Sequence, residues 1–277
     1  MKIFNLRKLI FKVVKFYPIR RLFLFIGNYI NFNIFIKHPF VNRKFFLKLW
    51  DHKTYWFIKS KTHIDEVKFL NLLIKKGDTC LEVGAHIGYL SQIIENIIGR
   101  NGKLFVIEPS KKNCSYLRKN ISKNSSLFQL AFSNFVGQSD LYLDNSGGST
   151  NTLNYDFLSK FEKNQAYWQS KKIKDIKSEK VEINTLDNFC MEKNLLPKFI
   201  KIDTEGNEFK ILEKSKNILP YTNSIMMEIT YGIRVKSIYN LMYSFDFAAY
   251  LPNKTLILKN EYPSGNIFFV KKNIQIL

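Results

Sequence analysis

The chain has few of the residues that mark special classes of protein. Its 277 residues include only three cysteines, Cys80, Cys114 and Cys190, with no C-x-x-C spacing among them. An odd, scattered set closes no disulfide framework, so reduced thiols in a cytoplasmic protein are expected, Cys80 being a small buried side chain in its apolar run. Seven prolines and twelve glycines are too few for a fibrous or low-complexity chain. Long apolar runs are missing as well. Within the first 40 residues the longest uncharged stretch, Leu22 to Ile36, has 15 residues and contains Asn28, Asn31 and Asn33, whereas a membrane-spanning helix needs roughly 20 mostly apolar residues. A secretory signal fits poorly, because Lys12, Lys15, Arg20 and Arg21 interrupt the apolar stretch and no small-x-small cleavage site follows.

Acid is scarce at the N-terminus. Residues 1–63 hold 14 Lys or Arg against the single acid Asp51, a local charge of +13 out of a formal +20. Interleaved with Phe, Ile, Leu, Tyr and Trp, this predicts a basic, aromatic-rich and helical extension. Such a segment can dock through residues 1–50 on an anionic membrane surface, placing the protein peripherally on the inner face. Alternatively Leu22, Phe23, Phe25 and their neighbours pack on the following domain.

From Ile64 to the C-terminus, apolar runs alternate with helical spacing, the pattern of an α/β domain with a parallel sheet and right-handed crossovers. Asp65 opens a helix with Val67, Leu70, Leu73 and Ile74 on one face. Strands follow at "TCLEVG", "KLFVIE" and "LFQLAF", with helices over Tyr89–Ile98 and Lys111–Asn120. Residues 133–197 read as an irregular insertion: a strand "SDLYLDN", a loop "SGGSTN", a helical stretch from Asp156 to Tyr167 and a strand leading into a helix at "KVEINTLDNF". Regular alternation resumes with "KFIKID", a helix Glu208–Lys216, "SIMMEIT", a helix Val235–Phe245 and a closing pair "KTLILK" and "NIFFVKK".

In "CLEVGAHIGYLS", Glu82 ends an apolar strand, and Gly84, Ala85, His86, Ile87 and Gly88 turn into a helix. Glycines allow the sharp turn and close approach of a ligand to the backbone, while the helix start offers free N–H groups. Glu108 ends the next strand 20 residues after Gly88, where an acid can accept hydrogen bonds from two ribose hydroxyls. A nicotinamide enzyme would prefer G-x-G-x-x-G. A bulky His in the middle of the turn argues against pyrophosphate and suits S-adenosylmethionine, which has no phosphate.

With "EVGAHIG", "IEPS", "IDTEGNE" and then "MEI", in that order, the chain resembles the FkbM family of methyltransferases over residues 78–271. His86 stands where the family usually has Asn. The resemblance implies a Rossmann-like seven-stranded sheet, mostly parallel with the last strand antiparallel. It also implies that Glu82, Gly84 and Gly88 border the methionine end of the donor, with Ala85 and His86 lining that loop, that Glu108 holds the ribose, and that Ala131 lies beside the adenine. The loop at 146–151 resembles the family's Ser-containing loop, with hydroxyls in reach of donor or acceptor.

The chemical residues are sought at the C-terminal ends of the strands, where open α/β sheets bind ligands. Asp203, Glu205 and Glu228 are the catalytic candidates; three gathered carboxylates raise one another's pKa, which prepares a base. They are equally able to hold sugar hydroxyls or a divalent metal, and no metal ligand is assigned. Glu208 and Lys210 are expected on a solvated helix face. The resemblance points to O-methylation of a sugar hydroxyl in a glycan, glycolipid or secondary metabolite. Two other classes compete: a nucleic-acid methyltransferase, disfavoured by the acids and by Asp203-Thr204-Glu205-Gly206 in place of an Asn-Pro-Pro-Tyr-like motif, and a membrane-associated binding protein with an inactive fold.

Overall fold

A computed structural model describes residues 29–57, 61–145, 147–169, 175–230 and 234–276. The chain forms two compact units that divide between residues 59 and 60. The basic stretch 1–28 and Ser146 lie outside the described residues. In the first unit, β1 (Asn33–Lys37) and β2 (Lys44–Lys48) form an antiparallel hairpin, followed by the short helix α1 (Lys53–Phe57). The helical reading of the extension is thus corrected over this part. Ile and Phe favour the pleated surface, Asn competes with helical hydrogen bonding, and Pro39 cannot continue a helix. The turn is closed by the His38 amide donating to the Arg43 carbonyl and the Phe40 amide donating to His38 Nδ1.

The second unit opens with α2 (Lys61–Leu73), which begins before Asp65. Then come β3 (Thr79–Val83), α3 (Tyr89–Ile98), β4 (Lys103–Ile107), α4 (Lys111–Asn120) and β5 (Ser125–Phe128). After the insertion follow β9 (Phe199–Ile202), α7 (Glu208–Glu213), β10 (Ser224–Ile229), α8 (Val235–Ser244), β11 (Phe247–Tyr250) and β12 (Gly265–Lys271). They build a seven-stranded sheet of order β11-β12-β10-β9-β3-β4-β5, in which β12 alone runs against its neighbours. Central strands buried on both faces explain the near-continuous apolar runs: all of β9 is buried.

Two strand readings are corrected. "LFQLAF" is not one strand: β5 stops at Phe128, whose carbonyl accepts from the Glu108 amide, and β6 (Ala131–Phe132) joins a second sheet. That three-stranded sheet, β6-β8-β7, also contains β7 (Gly137–Leu143) and β8 (Lys177–Asn184) and carries the insertion's helices α5 (Tyr155–Gln169) and α6 (Leu186–Glu192). "KTLILK" is not a sheet strand either. It makes only a bridge at Leu256 to the edge strand β11, with Leu256 and Leu258 exposed, and β11 is the true partner of β12. Both segments have strand-like composition, and the pairing partner decided their fate.

Helix α2 packs on the antiparallel end of this sheet. Phe69 is fully buried, its ring 4.6 Å from that of Phe268, and Asn266 Nδ2 donates to Glu66 Oε1 at 2.7 Å. Removing the ring leaves a large cavity in a core packed like an organic crystal. Phe69→Ala is therefore expected to lower the unfolding free energy by about 3–5 kcal/mol, measured by urea titration; a loss below about 1 kcal/mol would show that α2 is not part of the catalytic core.

Candidate active site

Parallel pairing aligns the C-terminal ends of β3, β4 and β9, since Glu82 lies opposite both Val106 and Lys201. Side chains two apart share a face of the sheet, so Glu82, Lys201, Asp203 and Glu228 project to one side. Glu82 is fully buried; Ser91 donates to its Oε2 at 2.5 Å, and its Oε1 has no hydrogen-bond partner among the described residues. Burial pushes its pKa up to about 7, against the pull of Lys201 and Ser91.

The turn after β3 is shaped by a close approach. Gly84 has φ 78°, and a Cβ there would stand 1.7 Å from the Asp203 carbonyl oxygen, so no other residue fits. His86 has φ 52°, a left-handed conformation that Asn and His both tolerate better than most residues. This accounts for His standing where Asn is usual. Gly88, at φ 87°, precedes α3, and Ala85 is buried. The turn's charge partner is Glu108, which is buried and accepts from the amides of His86 (2.8 Å) and Ser110 (3.0 Å) and from Asn113 Nδ2 (3.1 Å). Burial raises its pKa to about 7 while those donors oppose the rise. Ala131 is buried at the start of β6.

A loop covers this region. Asp144 accepts from the amides of Gly147, Gly148 and Thr150, drawing these three residues around one carboxylate. The loop is fastened by the Gly148 carbonyl, which accepts from Asn113 Nδ2 at 2.9 Å, and by the Gly147 carbonyl, 3.2 Å from His86 Nε2. A carbonyl can only accept, so Nε2 carries the hydrogen. Burial lowers the His86 pKa to about 4, leaving a neutral ring committed to the loop. It lines the turn and is not placed as a base.

The three acids meet as expected: carboxylate oxygens of Asp203, Glu205 and Glu228 lie within 4.8 Å of one another. Glu205 sits at φ 54°, a strained conformation for a non-glycine residue, and its carbonyl accepts from Thr152 Oγ1 at 2.8 Å. Burial and then the Asp203 charge push Glu205 up to about 8, while the Asp203 charge and then burial push Glu228 up to about 9. Glu208 is a correction. It is buried, and its carboxylate accepts from the amides of Thr204 and Gly206 and from Thr204 Oγ1, holding the turn that presents Glu205. Lys210 is exposed as expected.

Three residues were not singled out from the sequence. Lys201 is buried, donates to the Gly84 carbonyl and is 3.1 Å from Asp203 Oδ2. Desolvation disfavours its charge, but Asp203 and Glu82 outweigh that and raise its pKa. Asn113 and Asp144 build the donor side of the loop. A lysine in the middle of an apolar strand was the one available signal, since such a charge needs a buried partner.

The fold and these strand-end acids define a Rossmann-like methyltransferase domain. Residues 82–247, more than half of the chain, match the Methyltransferase FkbM domain, and the chain belongs to that family. Its cofactor is S-adenosylmethionine. No curated protein matches the chain. Similar solved structures include a precorrin-6y C5,15-methyltransferase from Geobacter metallireducens GS-15 (12% identity, TM-score 0.41, covering 77% of this chain and 90% of that one). An rRNA methylase from Streptococcus thermophilus gives 10%, 0.39, 77% and 98%. Fibrillarin from Aeropyrum pernix, with natively bound S-adenosyl-L-methionine, gives 9%, 0.38, 86% and 81%. The residues fit such a donor: Glu82 Oε1 is a buried acceptor without a partner among the described residues, and Glu108 directly follows β4 beside the turn.

The raised carboxyls carry a stability consequence. A carboxyl that binds its proton more tightly when folded favours the folded state at low pH, and that advantage is lost as pH rises from its ordinary value to its folded one. Between about pH 4.5 and about pH 9, set by Glu205 and Glu228, the ligand-free protein should lose stability. Replacing both with Gln should make the decline shallower, checked by melting temperature at the two ends of that window. Parallel curves for parent and variant would contradict the shifts.

Proposed function

We propose that this methyltransferase acts on a hydroxyl oxygen of a sugar, in a glycan, glycolipid or secondary metabolite. The observation that carries the reading is the gathering of Asp203, Glu205 and Glu228 at the strand ends beside the donor turn. Such a mouth suits a neutral, hydroxyl-rich acceptor: protonated carboxyls donate and ionised ones accept, while a phosphate backbone would be repelled. S-adenosylmethionine supplies an electrophilic methyl group on a sulfonium. In our reading Glu108 accepts from the ribose hydroxyls, Ala131 borders the adenine, and Glu82, Gly84, Ala85, His86 and Gly88 surround the methionine end. Asp203 takes the proton that the acceptor hydroxyl loses as the hydroxyl oxygen bonds to the methyl carbon and the carbon–sulfur bond breaks, its electron pair staying on the sulfur of S-adenosylhomocysteine, and Glu205 and Glu228 orient that hydroxyl. Alignment of the two reactants supplies most of the remaining rate.

Asp203→Asn should then lower turnover by about 10²-fold or more with donor binding near normal, and Glu108→Ala should weaken S-adenosylmethionine binding about tenfold or more in a calorimeter. Mass spectrometry of glycans and lipids from cells with and without the protein identifies the acceptor. A methyl mark found on nucleic acid alone would overturn the sugar reading.

We also propose that residues 1–50 dock on an anionic membrane surface. Supporting this, Tyr29, Ile30, Phe32 and Phe35 are exposed on the described part, together with Lys37 and Lys44. Among the described residues no helix is long and apolar enough to cross a membrane, so attachment would be at the surface, each basic residue adding about 1 kcal/mol. The full-length protein should float with anionic vesicles at low salt and stop floating when residues 1–50 are removed; equal flotation of both forms rules the segment out.

A further inference from the structure

Lys201 occupies the middle of the site on β9. Its position opposite Glu82 on β3 and Met226 on β10 is fixed by sheet register. The side chain is 8% exposed, so its ammonium cannot be satisfied by bulk water. It donates to the carbonyl of Gly84, the residue that turns the chain into the donor loop, and pairs at 3.1 Å with Asp203 Oδ2. The same ammonium acts electrostatically on Glu82, Glu205, Glu228, Glu108 and His86, groups carried by β3, β4, β10 and the turns beyond β3 and β9. It is the cation shared by donor-side and acceptor-side acids.

We propose that Lys201 is a positioning residue for methyl transfer, its ammonium bridging the Gly84 carbonyl of the donor turn to the Asp203 carboxylate so that both reactants are held by one group. The assignment rests on reading Asp203, Glu205 and Glu228 as the acceptor side. Two geometric facts favour it. The bridge spans the point where Gly84 and the Asp203 backbone already touch, and an ion pair there links a backbone oxygen of one half-site to a side-chain oxygen of the other. A lysine needed only for packing would be better replaced by an apolar residue, since burying an ion pair seldom stabilises a fold.

The test uses full-length protein with ¹³C-labelled glutamate carboxyls, the Glu205 and Glu228 signals being assigned through their Gln variants, and S-adenosylhomocysteine as the calorimetric probe. In Lys201→Met, Glu205 and Glu228 should titrate at a pH higher by about one or more, and the probe should bind about tenfold more weakly. Lys201→Arg, which keeps the charge, should return the titrations toward the parent's. A lysine that merely fills space would leave the titrations unmoved, and that result overturns the proposal. Should Lys201→Met fail to fold, the parent protein decides: its solvent-protected lysine ammonium ¹⁵N signal must shift when S-adenosylhomocysteine is added, and a signal that stays in place overturns the bridge. If Asp203→Asn keeps full turnover while the Lys201 effects occur, the base assignment falls and the bridge stands. If Asp203→Asn loses turnover and Lys201→Met changes neither titration nor probe binding, the bridge falls alone.

Discussion

The contact between Gly84 and the main chain of Asp203 is the constraint on which the site depends. Here β3 and β9 stay close enough that a single Cβ at residue 84 would overlap the Asp203 carbonyl oxygen. The donor turn and the first acid of "IDTEGNE" therefore cannot move independently. A displacement of one thus presses on the other, the kind of mutual support that precise alignment of two reactants demands.

That closeness has an electrostatic cost. Four carboxyl groups, Glu82, Asp203, Glu205 and Glu228, gather around the same short stretch of sheet, and burial disfavours the charged forms of Glu82, Glu205 and Glu228. The fold offsets this in different ways for each. Glu82 takes a hydroxyl from Ser91 and the field of Lys201, whereas Glu205 and Glu228 give up charge by holding protons into the alkaline range. Glu208, just beyond, is satisfied by backbone amides and stays outside the chemistry. Acids of the same type thus differ in role because their donors differ.

The legible parts of this site were those encoded locally. Glu82, Gly84, Gly88 and Glu108 lie within strand-turn-helix segments recognisable from their spacing, and α3 and α4 have the bounds that this spacing predicts. Lys201 and Asn113 were illegible because each acts across the fold, whereas Asp144 works within its own loop, on the amides of Gly147, Gly148 and Thr150. Lys201 meets Gly84 through strand register at a separation of 117 residues, and Asn113 meets Gly148 at 35. Likewise "LFQLAF" reads as one strand because composition does not say which sheet each half joins. Glu208 reads as solvated because helical spacing cannot show that the preceding turn folds its amides back onto the carboxylate.

The loop around Asp144 extends the same logic to the turn that carries Glu205. One end is held by His86 and Asn113, which also contact Glu108 through the His86 amide and the Asn113 side chain. The other end reaches Thr152, whose hydroxyl donates to the Glu205 carbonyl. A single short segment is thus fastened to two partners of Glu108 and to the Glu205 carbonyl by separate hydrogen bonds. Because Glu205 holds a strained backbone conformation, the Thr152 contact belongs to the surroundings that over-determine it. Since His86 is neutral and its Nε2 hydrogen faces the loop, acidification that charges the ring would desolvate a cation beside Gly147 rather than create a second acid for the reaction. The imidazole, bonded to the Gly147 carbonyl, and the His86 amide, bonded to Glu108, together keep the loop, the turn and Glu108 in one arrangement.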